Sequence, residues 1–129
     1  MKNRKVVVFV ASLIVIAMAT IGIKYAIDFN YYKQTMSNLI ISDVDVSKVS
    51  DGEYTGKHDA KIISAEVSVI VNDGEIIAID FIEYESGKGE PALAIVDKII
   101  EFQSLDVDTI AGATNSSKTI LKAVENALE

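Results

Sequence analysis

Three hydrophobic patterns follow one another along the chain. Residues 6–23, "VVVFVASLIVIAMATIGI", carry no charge, and Lys24 is the first charged residue after them. Counted to Ile27, the apolar stretch has 22 residues. At about 1.5 Å per helical residue it reaches roughly 33 Å, enough to cross a bilayer core. The second pattern, over residues 28–50, is polar with scattered Ile, Leu and Val, and Asp43, Val44, Asp45 and Val46 alternate without helical spacing. A helix extension followed by a stalk is the expected form.

The third pattern begins near Ser50. Ala65, Val67, Val69 and Val71 alternate with Ser64, Glu66, Ser68 and Ile70, the period-two signature of a strand with one face buried. Asn72-Asp73-Gly74-Glu75 then predicts a hairpin, because Asp and Gly both tolerate positive φ. In the returning strand, Ile77, Ile79 and Phe81 are expected to face one way and Ile76, Ala78, Asp80 and Ile82 the other. A shorter edge strand is expected at residues 53–56 or 61–63. Gly87 and Gly89 read as a turn before Pro91, whose ring suits the first helical position.

Leu93, Ile95, Val96, Ile99, Ile100 and Phe102 then line one face of a helix ending near Gln103. A last amphipathic helix is expected from about Ser117, with Ile120, Leu121, Val124 and Leu128 inward beside Ala123 and Ala127. The predicted class is α+β: a small antiparallel sheet packed with two helices, preceded by one transmembrane helix. The expected divisions are a tail over residues 1–5, an anchor over 6–27, a stalk over 28–50 and a folded domain over 51–129.

Charge gives the anchor a direction. Lys2, Arg4 and Lys5 precede it and no acidic residue occurs before Asp28, so the N-terminus is expected in the cytoplasm and the domain outside. Tyr25, Phe29, Tyr31 and Tyr32 cluster where aromatic rings favour the outer headgroup layer. Ala17-Met18-Ala19 keeps a second reading open, a cleaved signal peptide, although apolar residues continuing past it favour an uncleaved anchor. Beyond residue 23, nine lysines face 19 carboxylates, a net charge of −10, which argues against nucleic acid and anionic lipid surfaces as partners. The absence of cysteine excludes disulfides, thiolate metal sites and a lipidated cysteine.

Few groups suited to catalysis remain. His58 is the only histidine, in a "GKHDAK" loop with no evident catalytic partner, and there is no Walker-type loop or G-x-G-x-x-G. Pairs such as Glu83 with Glu85 and Asp106 with Asp108 need no reason beyond solvation. The stretch "DTIAGATNSSKTI" at residues 108–120 stands apart, with four hydroxyls, Thr114, Ser116, Ser117 and Thr119, where one cap would suffice. Ser116 or Ser117 is the expected cap of the final helix. Ala111, Gly112 and Ala113 leave room for close backbone approach, and a helix start offers free N–H groups, a set suited to a phosphate ester.

At these residues the sequence resembles the FMN-binding domains of sodium-translocating NADH:quinone reductases, their Rnf-type relatives and many small exported proteins. "DTIAGAT" at residues 108–114 is similar to that family's flavinylation motif, Asp-x-x-(Ser/Thr)-(Gly/Ser)-Ala-Thr. "DGEYTG" at 51–56, "VNDGEI" at 71–76, "FQSLDVD" at 102–108 and "SSKTILKAVENAL" at 116–128 follow the order typical of the small exported members. Ala111 departs from the motif, standing where the family usually has Ser or Thr, and Ser116 is the nearby hydroxyl suited to replace it.

The resemblance implies a cofactor site of Asp108, Gly112, Ala113, Thr114, Ser116 and Ser117, with FMN joined to Thr114 through a phosphoester bond. It also implies a flavin transferase that moves FMN from FAD onto the threonine, and a membrane electron donor, either quinone or a reductase complex. On this reading the domain is a membrane-anchored electron carrier. Two alternatives stay open: a small extracellular flavin-dependent reductase, and an unmodified binding or stalk module. Tyr54 and Tyr84 are the aromatic candidates for sheltering the ring. The net charge should disfavour anionic reduced flavin and lower the midpoint potential, so raising ionic strength should move the potential upward in a redox titration; an unchanged potential would refute this.

Overall fold

In the computed structural model, which describes residues 2–86 and 90–129, the chain forms one long helix, a three-stranded sheet and two shorter helices. The turn expected at Gly87 and Gly89 lies outside the described residues. Helix α1, Lys2–Ser37, runs 36 residues without a break, and its apolar part packs against nothing. It is long and apolar enough to cross a membrane.

Strands β1, Gly52–Asp59, β2, Ser64–Asn72, and β3, Glu75–Glu85, pair antiparallel in the order β1-β2-β3. The edge strand thus occupies the first of its two expected positions, and residues 61–63 form a bend. Asp73 at φ 52° and Gly74 at φ 75° close the β2–β3 hairpin, as the Asp-Gly pair predicts.

The simple alternation expected for β3 does not hold. Val71 pairs with Ile76 but Ile70 pairs with Ala78, so Ile77 is an extra residue in a β-bulge. A second shift, from Glu66–Glu83 to Val67–Phe81, leaves Ile82 unpaired in the same way. Each bulge resets the period, so Ile76, Ile79, Phe81 and Tyr84 all stand opposite the core face of β2, while Ile77 and Ile82 turn outward, 54% and 55% exposed. The expected grouping of Ile77 with Ile79 is therefore corrected, because bulges shift alternation by one residue.

Helix α3, Thr114–Leu128, covers the sheet with Ile120, Leu121, Ala123, Val124, Ala127 and Leu128, all buried as the spacing predicts. It begins at Thr114 rather than near Ser117. Helix α2, Ile95–Phe102, is shorter than expected: Glu90–Ala94 form a 3-10 turn, so Pro91 is the second residue of that turn and not the first of the α-helix. Gln103 ends α2 in the left-handed region at φ 50°. Its side-chain amide donates to Ile76 O at 2.9 Å and Ile100 O at 2.7 Å, and its oxygen accepts from Ile76 N–H at 2.6 Å. One side chain thereby caps a helix and completes the backbone pairing of a strand edge beside its bulge.

The segment after α1 is held against the domain. Val46 is buried in a 3-10 turn capped by Asp45. The Asp43 carboxylate accepts from Leu105 N–H and from the Ser104 hydroxyl, both at 2.8 Å. Burial pushes that carboxyl up, but these bonds and one from Val44 outweigh it and hold the group below the usual aspartate value. Glu125, 2% exposed, accepts from Ser42 N–H at 3.2 Å and lies 2.7 Å from the Lys122 ammonium, which also reaches Ile40 O at 3.2 Å.

Helix α3 rests directly on the backbone of β1. A Cβ at Gly56 would overlap Ala123 O and Ala127 N and lie 2.7 Å from Ala127 Cα, so only glycine fits without moving the helix. Gly56→Ala should cost about 3 kcal/mol, as overpacking against backbone does. Gly112→Ala, where the new Cβ meets nothing within 4 Å but φ is 78°, should cost about 1 kcal/mol of strain. Chemical denaturation of the detergent-solubilised chain would check the order; equal losses would contradict it.

Candidate functional site

The loop into α3 is a tight turn. Ala113 N–H donates to Ile110 O at 3.0 Å, and Gly112, at the third position, has the positive φ of 78° that a type II turn requires there. Ala111 and Gly112 are exposed, whereas Ala113 is 6% exposed and joins the core. The chain must reverse here because α2 and α3 both pack on the sheet.

The four hydroxyls divide into two pairs. Ser117, fully buried, accepts from Ile110 N–H at 3.1 Å and donates to Ala113 O at 2.7 Å, so it clasps the turn to the helix. Thr119, also fully buried, donates to Asn115 O at 2.9 Å and lies 3.8 Å from the Met36 sulfur. Neither Ser116 nor Ser117 caps the helix, contrary to the sequence expectation. The position before the first helical residue is Ala113, with no side-chain cap, and both serines already lie inside the helix. Among the described residues, the hydroxyls of Thr114 and Ser116 make no hydrogen bond.

Those two free hydroxyls share an open cleft of about 430 Å³ lined by Tyr32, Ile63, Ser86, Gly112, Ala113, Thr114, Asn115 and Ser116. The amides of Thr114, Asn115 and Ser116 precede the first i→i−4 bond of α3, Ser117 N–H to Ala113 O at 2.9 Å, so they have no intrahelical acceptor. Positive helix-dipole potential and spare donors therefore meet beside two spare hydroxyls and an unobstructed glycine. This set fits a phosphate ester. A flat ring system larger than the cleft would extend into solvent, since the cleft is open on one side.

Of the expected site residues, the structure brings together Gly112, Ala113, Thr114 and Ser116. Ser117 sits behind them as a support. Asp108 does not reach this cleft; it lines a separate depression with Lys98, Phe102, Asp106 and Val107, and its carbonyl accepts from the Lys98 ammonium at 3.4 Å. Tyr54 and Tyr84 do not line the cleft either. The Tyr54 hydroxyl donates to Ser50 O at 2.7 Å, and the Tyr84 ring tilts against Phe81 with centroids 5.3 Å apart. The aromatic ring that does line it is Tyr32, which the sequence suggested only as a headgroup anchor. Its proximity to residues 112–116 is an 83-residue contact with no local signal.

Other groups offer little chemistry. A depression of about 540 Å³, larger than the cleft, is lined by residues of the 43–47 segment with Gly74, Glu75 and Gln103 and shares no lining residue with it. His58 is half-buried; burial and the neighbouring Lys122 charge lower its pKa, against a smaller rise from Asp59, and its Nε2 lacks a partner. No group of three metal-ligating side chains occurs among the described residues.

This small α+β domain thus presents an unpaired threonine hydroxyl at a helix start, in a cleft whose spare donors suit a phosphate ester. The FMN-binding domain profile matches residues 60–129, and the chain is a member of the FMN-binding domain family. It is also similar to an NADH:acrylate oxidoreductase from Vibrio harveyi, 33% identical over 85 residues, which covers 64% of this chain and 8% of that protein. The chain thus spans only a small part of that relative's length. No solved structure matches it.

The division of the hydroxyls is testable. Ser117→Ala leaves Ile110 N–H without its partner and should cost about 1–3 kcal/mol. Thr114→Val, at an exposed side chain with no bonds, should change stability by less than about 0.5 kcal/mol. Thermal unfolding of both variants checks this, and a large loss in Thr114→Val would contradict the assignment.

Proposed function

We propose that this protein is a membrane-anchored, extracytoplasmic electron carrier with FMN attached covalently to Thr114. The observation that carries the reading is the pairing of a free, exposed Thr114 hydroxyl with the three amides that start α3, at the position the family's motif gives to the modified threonine. Family membership supports FMN as the group. The basic residues before α1 support a cytoplasmic N-terminus and an external domain.

The attachment needs no catalytic residue in this chain. A flavin transferase supplies the catalysis and FAD the FMN: the Thr114 Oγ–phosphorus bond forms, the pyrophosphate bond of FAD breaks, AMP leaves and the hydroxyl proton is released. This chain's part is to hold the oxygen still and exposed. Ser117 fixes the turn, Gly112 keeps one side clear, and the amides of residues 114–116 with the Ser116 hydroxyl are placed to bind phosphate oxygens. Ser116 takes the role left open by Ala111. The covalent bond prevents loss of the group outside the cell, where free flavin would be diluted.

Once bound, FMN supplies one- or two-electron transfer, while the protein sets its placement and electrostatic surroundings. Electrons would come from a membrane donor, either quinone or a reductase complex, and pass to an external acceptor. The openness of the cleft, as the described residues form it, favours a carrier over a stand-alone reductase.

Co-expression with a flavin transferase followed by intact-mass measurement tests the proposal. The mass should rise by one FMN less one water in the native chain and stay unmodified in Thr114→Val. A native chain that never gains this mass would refute covalent attachment.

A further inference from the structure

Helix α1 supplies one wall of the cleft. Tyr32 lies five residues beyond Ile27, the end of the apolar stretch, or about 7.5 Å along the helix axis. Its phenol oxygen accepts from Asn115 Nδ2 at 2.8 Å, one residue from Thr114. One turn later Met36, 7% exposed, meets Thr119. The pairs Tyr32–Asn115 and Met36–Thr119 advance by four residues on both helices, so α1 and α3 run side by side in the same direction there. On the neighbouring loop, the Lys61 ammonium lies 5.9 Å from the centre of the Tyr31 ring.

The chain leaving α1 is tied down as well. Ile40 and Ser42 bond to Lys122 and Glu125 of α3, and Asp43 bonds to Ser104 and Leu105. The helix is thus fixed by side chains in its last turns and by backbone bonds just after it. A loose tether would need neither, and its few polar residues would stay in water.

We propose that α1 is a working wall of the cofactor cleft, with Tyr32 as a positioning residue for Asn115 and Thr114, and that it holds the cleft at the headgroup layer of the membrane. Because α3 runs alongside α1 and away from the apolar span, its N-terminus faces the bilayer. Its C-terminus lies about 22 Å farther out along the axis. Any electron partner must then reach the headgroup layer. The inference rests on α1 spanning a membrane and is independent of whether FMN is attached.

The chain contains no cysteine, so Ala111→Cys and Glu129→Cys each create a single labelling site. Both residues are exposed, at opposite ends of α3. Each variant, labelled with a bimane fluorophore and reconstituted without flavin, would be placed in phosphatidylcholine vesicles containing a headgroup-nitroxide lipid. Quenching should be several-fold stronger at position 111 than at 129. Adding Tyr32→Ala should bring the two positions closer together with little change in the domain's unfolding midpoint, and Tyr32→Phe, which keeps the ring, should do so less. Equal quenching at both positions, or a Tyr32→Ala profile identical to that of native Tyr32, would overturn the proposal. Failure of the chain to float with the vesicles would instead overturn the anchoring on which it rests.

Discussion

The close approach of α3 to the bare backbone of β1 at Gly56 fixes where the site can be. With no side chain between them, the helix is seated at one height, and its apolar face meets Val67 and Val69 across the sheet. Its direction then decides what its first turn does. The N-terminus of α3 emerges at the end of the sheet formed by the 60–63 bend, the end at which α1 also arrives. A helix held farther from the sheet would leave the turn at residues 110–113 without a firm base.

Local chemistry completes what packing begins. A helix interior normally has little use for Ser or Thr, whose hydroxyls compete for backbone groups. Here two of four hydroxyls are spent in that way, on the carbonyls one turn back, and the two left over face the cleft. The helix has no side-chain cap, which leaves its first amides available. In most helices that would be a modest loss of stability; here it leaves donors that suit a phosphate ester.

Much of this was legible in the chain. The apolar span, the hairpin at Asp73-Gly74, the inward face of α3 and the class α+β all follow from periodicity and turn chemistry, because those signals are local. Of the residues expected at the site, Gly112, Ala113 and Ser116 stand around Thr114, while Asp108 lies in a separate depression. Other features were not readable. The bulges at Ile77 and Ile82 depend on pairing with β2, and both isoleucines suit either face of a strand. Ser117 was expected to cap because serine favours caps, but its burial against Ile110 draws it inside the helix. Tyr32, the Asp43 bonds and the Glu125 ties join residues 60 or more positions apart, beyond the reach of any local pattern.

A phosphate ester would ask of so small a domain only one firm oxygen and a few donors, and a single turn with the start of one helix offers them. The most direct measurement is mapping of the modified residue after maturation with a flavin transferase. Tryptic digestion should place flavin fluorescence and the added mass on the peptide covering residues 99–118, with fragmentation assigning it to Thr114. Flavin on any other residue of that peptide, or on none, would contradict the account.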